Sequence, residues 1–160
     1  MKFAEFHAGQ VIHCGPASLT ERQILDFARE WDPQWFHADP ERAAAGMWQG
    51  LIASGWQTCC VAMRMACDEI LAGSESFASP GVAHIRWPHP VRPGDRLHLK
   101  ATVLDVRRSK TQATLGILRW RWQMANAHGA EVLDLEATSL FDLSQLPNAD
   151  AAAARADTAP

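Results

Sequence analysis

The feature that most limits how this chain can fold is a change of hydrophobic period near residue 82. Upstream, apolar residues recur at three- and four-residue intervals, as in helices with one buried face; downstream they recur at every second position, as in strands. Thr20, followed three residues later by Gln23, is a capping-box helix start, and Ile24, Phe27, Ala28 and Trp31 then share one face. Asp32-Pro33 ends that helix, because proline disfavours helical geometry in the residue before it. Asp39 as N-cap and Pro40 as first helical residue open a second, short helix. Residues 56–71 form the longest helical stretch, in which Cys59, Met63, Ala66, Cys67 and Ile70 repeat among few charges. We expect this helix to lie buried at the centre of the domain, closed by Gly73. Residues 82–87, 96–107, 114–125 and 131–141 are strand candidates, preceded by a short opening strand at 9–13. In the last of them Leu133, Leu135, Ala137 and Ser139 alternate with Asp134, Glu136 and Thr138, the pattern of one buried and one wet face. An α+β assembly, an antiparallel sheet around one apolar helix, accommodates all of these elements.

Composition narrows the surroundings. With 160 residues, 48% of them hydrophobic, the chain can bury the core of one domain, which we place at residues 1–146. The alanine-rich remainder, residues 147–160, reads as a frayed helix or a disordered tail. A net charge of -3 creates no basic field, so neither nucleic acid nor an anionic membrane is expected as a partner. No apolar run reaches the roughly 20 residues that span a bilayer. The start of the chain carries no signal-like apolar stretch, and the cysteines at 14, 59, 60 and 67 suit a reduced, cytoplasmic setting. Their spacing matches no zinc motif, and no metal is expected.

The chemistry concentrates in two short segments. Asp32 and His37 put a carboxylate and an imidazole on one loop, and imidazole exchanges protons near neutrality. The small-residue loop 50–55 leads into the long helix, whose first N–H groups, at Gly55 and Trp56, are free to polarise a carbonyl oxygen. Glycine at 55 permits close backbone approach. Taken alone, Asp-Pro can simply start a turn, and a histidine beside it can simply cap a helix. Four tryptophans, Trp31, Trp35, Trp48 and Trp56, crowd the same stretch and suggest a narrow, aromatic-lined pocket.

The run Phe27-Ala28-Arg29-Glu30-Trp31-Asp32-Pro33-Gln34-Trp35-Phe36-His37, with Gly50-Leu51-Ile52-Ala53-Ser54-Gly55-Trp56 and the turn Pro90-Val91-Arg92-Pro93-Gly94-Asp95, resembles the MaoC-like dehydratase family, which includes the (R)-specific enoyl-CoA hydratases. The resemblance covers roughly residues 9–141. It implies a hot-dog fold, a curved antiparallel sheet wrapped around one long central helix. It also implies hydration or dehydration of an enoyl-CoA or 3-hydroxyacyl-CoA thioester without a cofactor, in at least a homodimer. Asp32 and His37 fall on the family's catalytic pair, and Gly55, Ser54, Trp56, Gln34 and Trp35 fall on or beside its substrate-binding positions. Gln34 and Trp35 replace the family's asparagine and proline, and Met63 stands where the (R)-hydratases carry a site serine, which leaves the acyl group open. Arg86, Arg92, Arg107, Arg108, Lys110, Arg119 and Arg121 are basic groups that could meet CoA phosphates. Two other functions fit the same resemblance: a hot-dog acyl-CoA thioesterase, and a non-catalytic acyl-CoA-binding or partner subunit.

Overall fold

The computed structural model describes residues 1–145. Five strands, β1 (Val11–Ala17), β2 (Ser76–Arg86), β3 (Leu97–Arg108), β4 (Leu115–Asn126) and β5 (Glu131–Asp142), form one antiparallel sheet in the order β1-β3-β4-β5-β2. Between β1 and β2 lie α1 (Glu21–Trp31), α2 (Trp35–Ala38), α3 (Pro40–Ala45) and α4 (Gly55–Ala66), the last running on into a wider π-helical turn over Cys67–Leu71. The sheet wraps α4, which is the hot-dog arrangement. The tail assigned to residues 147–160 lies outside the described residues. Among those described, no helix is long and apolar enough to cross a membrane.

Register explains the core. Ala101 of β3 stands opposite Trp122 of β4, which stands opposite Leu135 of β5 and, beyond it, Ile85 of β2. Val103, Trp120, Ala137 and Val82 make the next row. Alternate residues of the three middle strands therefore share the face that packs with Ala62, Met65, Ala66 and Ile70 of the central helix in one cluster. The capping box at Thr20 is present: its hydroxyl accepts from Gln23 N–H at 3.2 Å, and Gln23 Oε1 accepts from Thr20 N–H at 2.8 Å.

Four expectations need correction. The opening strand runs over Val11–Ala17 rather than 9–13, because Gly9 takes a left-handed turn conformation (φ 81°): its N–H still reaches Val103 O at 2.9 Å, but the regular ladder starts at Val11. The strand expected at 82–87 starts at Ser76; its small residues and Pro80 read as loop, yet proline is tolerated on an edge strand, which β2 is. The buried face of α4 carries Thr58, Ala62, Met65 and Ala66, whereas Met63 and Cys67 are exposed. The small residues on that face offset the bulk of Trp120 and Trp122 in the same core. Asp134, expected on the wet face, is only 5% exposed, because Arg121 grips it with two hydrogen bonds of 2.7 and 2.9 Å.

Candidate active site

Asp32 is placed by the end of α1. Its N–H closes the helix on Ala28 O at 2.9 Å, and its non-helical backbone (φ -149°, ψ 69°) turns the chain out of the helix ahead of Pro33. The single turn of α2 then carries His37 inward, where it is 5% exposed. The loop before α4 is pinned between α2 and the segment after β2: Ile52 N–H donates to Phe36 O at 3.3 Å and Ala53 N–H to Val91 O at 2.8 Å. Arg92 Nη2 holds the same loop through Trp48 O at 2.6 Å.

These constraints set the imidazole. His37 Nδ1 lies 2.8 Å from the Ile52 carbonyl, which can only accept, so Nδ1 carries the proton and Nε2 of the neutral ring is an acceptor. Nε2 faces Asp32 Oδ2 at 3.4 Å. Oδ2 also accepts from Ser54 Oγ at 2.7 Å, and Oδ1 from Gln34 Nε2 at 2.8 Å. Burial pushes the Asp32 carboxyl up, but the hydrogen bonds from Ser54 and Gln34, joined by the charge of His37 whenever its ring is protonated, outweigh it and hold the group below the usual carboxylate range.

Gly55 opens α4, and among the described residues its N–H has no hydrogen-bond partner, as for any first-turn donor left uncapped. Trp56 N–H, the other candidate donor, is taken by Ser54 Oγ at 3.2 Å. Ser54 thus caps the helix and bonds Asp32 instead of facing a ligand. A cavity of about 160 Å³ opens beside this constellation, lined by His37, Gly55, Trp48, Trp87, His89 and Val132 among others.

Only one of the four clustered tryptophans lines that cavity. Trp48 does; Trp31 and Trp56 are exposed, and Trp35 packs on α3 beneath Arg42 and against Gly46. Sequence reading placed Trp87 at the end of a strand and gave it no part in the site; it leaves β2 at the Pro88-His89-Pro90 segment and stacks over Gly55 so closely that a Cβ there would sit 2.6 Å from Cε2. Two prolines within three residues were the available signal, since they stop strand pairing at that point. Several basic groups are also already committed: Arg119 to Glu136, Arg121 to Asp134, Arg107 to Asp105 and Arg92 to the Trp48 carbonyl.

The sequence and the fold have counterparts among known proteins. Residues 3–119 match the family model described as MaoC like domain. The protein YdeM of Bacillus subtilis is 33% identical over 141 residues, 88% of this chain and 99% of that protein. A 3-hydroxyacyl-thioester dehydratase Z of Mycobacterium tuberculosis is 31% identical over 103 residues, 61% of this chain and 68% of that protein. The crystal structure of a MaoC-like dehydratase from Rhodospirillum rubrum superimposes with a TM-score of 0.79 at 31% identity, covering 87% of this chain and 94% of the other.

Proposed function

We propose that this chain, which belongs to the MaoC-like dehydratase family, is an acyl-thioester hydro-lyase that adds water to the 2,3 double bond of an enoyl-CoA or removes it from a 3-hydroxyacyl-CoA. The observation that carries the reading is the approach of two acceptors, Asp32 Oδ2 and His37 Nε2, to 3.4 Å. Such a pair repels unless a donor serves both, and a water molecule has two protons to give. A water held this way has its oxygen lone pairs turned toward a substrate in the cavity. In hydration, Nε2 takes one proton from the water as its oxygen bonds C3, and returns that proton to C2. Charge gathering on the thioester oxygen is met by Gly55 N–H at the positive end of α4. Dehydration runs the same steps backward.

The acyl group is short or branched: a cavity of about 160 Å³ between Trp48 and Trp87 suits few carbons. The working form is a homodimer. The edge strand β2 is exposed along most of its length, with Phe77 60% and Val82 49% exposed, and Met63 of α4 is exposed as well. An unpaired apolar edge of this kind calls for a partner, and a second copy supplies a matching edge. All four cysteines are free, as in a reducing cytoplasm.

The test is a panel of enoyl-CoA and 3-hydroxyacyl-CoA esters, followed both by absorbance of the conjugated double bond and by thiol release. We expect the double-bond signal to change on short or branched esters with no free thiol. Thiol release without that change would assign a thioesterase instead, and binding without turnover a non-catalytic subunit.

A further inference from the structure

We propose that Ser54 is a positioning residue for the reaction: its hydroxyl holds Oδ2 of Asp32, the oxygen that faces His37, and ties it to the first turn of α4. The inference rests on the hydratase reading of the site. The direction of the bonds follows from chemistry. Trp56 N–H can only donate, so Ser54 Oγ accepts from it at 3.2 Å; a carboxylate can only accept, so the hydroxyl proton points to Asp32 at 2.7 Å. Ser54 is 1% exposed, so water does not compete for that hydroxyl. With Gln34 Nε2 on Oδ1 at 2.8 Å, both oxygens are restrained and the carboxylate cannot turn, while Oδ2 keeps a lone pair for one more donor.

Two consequences follow. The carboxylate that orients the water and the Gly55 N–H that polarises the carbonyl are referenced to the same helical turn, because Ser54 and Gly55 are neighbours and Ser54 is the helix N-cap. The tie also favours the ionised form of Asp32. The groups that face this carboxylate are His37 from α2, the neutral Ser54 from the α4 cap and the neutral Gln34 from the intervening turn. Asp32 therefore remains an anionic acceptor, and the proton that travels is carried by His37.

The experiment is a carbon-13 NMR titration of the Asp32 side-chain carboxyl in the wild-type protein, Ser54→Ala and Ser54→Gly, with hydration of crotonyl-CoA followed across pH in the same samples. Glycine is tolerated as an N-cap, so Ser54→Gly removes the hydroxyl and keeps the helix start. We expect Asp32 to titrate at higher pH in both variants and the acid limb of kcat to move up with it. We also expect kcat to fall roughly tenfold to a hundredfold, the scale of one hydrogen bond to a charged group, with KM changed less than about twofold. An Asp32 titration that stays at its wild-type position in folded Ser54→Gly overturns the proposal, whatever happens to kcat. If the wild type hydrates no thioester while the titration still moves, the hydratase reading falls and the tie to Asp32 stands.

Discussion

Gly55 is the residue whose replacement the site tolerates least, for reasons of space alone. An alanine Cβ would lie 2.6 Å from Trp87 Cε2, and an indole has no flexible end to give way, so either the ring or the start of α4 must shift. The Gly55 N–H moves with it. We expect Gly55→Ala to lose roughly 10²-fold in kcat, the cost of about 1 Å of misplacement, with the fold kept by circular dichroism. Unchanged kcat in that variant would remove the backbone donor from the mechanism. That Asp32, His37 and Gly55 come together was legible in the sequence because each belongs to a short local string whose turn chemistry is fixed by its neighbours. The role of Ser54 and the presence of Trp87 were not. A hydroxyl's choice of acceptor and an indole's resting place are settled by segments distant in sequence, here residues 22 and 32 positions away.

At the scale of elements, the two-residue period of β3 to β5 was readable because those strands are long and internal, so one face is buried along most of each. The edge strands β1 and β2 were misjudged. An edge needs only half its hydrogen bonds satisfied by the sheet, which frees it to contain Gly15, Pro16, Pro80 and Gly81, residues that read as turns. Trp120, fully buried between neighbouring rows, supports the middle of the sheet. Trp120→Ala should cost about 3–5 kcal/mol in urea unfolding, and Trp120→Phe distinctly less, since the indole Nε1 has no hydrogen-bond partner among the described residues to lose. The outer face carries its own device. Two hydrogen bonds from Arg121, outweighing burial, and the nearby His84 hold the Asp134 carboxyl below the usual range. A carboxyl lowered in the folded state stabilises the fold fully above its unfolded pKa, near 3.9, and loses that contribution as pH falls through the folded value. Urea midpoints measured from pH 6 downward should therefore decline less steeply in Asp134→Asn than in the wild type. Parallel declines would contradict the link.

For the whole molecule, the exposed β2 edge makes assembly part of the proposal. Phe77→Lys combined with Val82→Lys places like charges at the two large apolar side chains exposed on that edge. Sedimentation of the wild type as a dimer and of the double variant as a monomer would agree with pairing through β2, and a wild-type monomer would exclude it. The proposed reaction assigns the water to the facing pair Asp32 and His37. Its most direct test is the rate of crotonyl-CoA or branched enoyl-CoA hydration by the wild type, Asp32→Asn and His37→Gln. Each variant is expected to hydrate these esters roughly 10²-fold or more slowly, with folding kept. Turnover near the wild-type rate in both would contradict it.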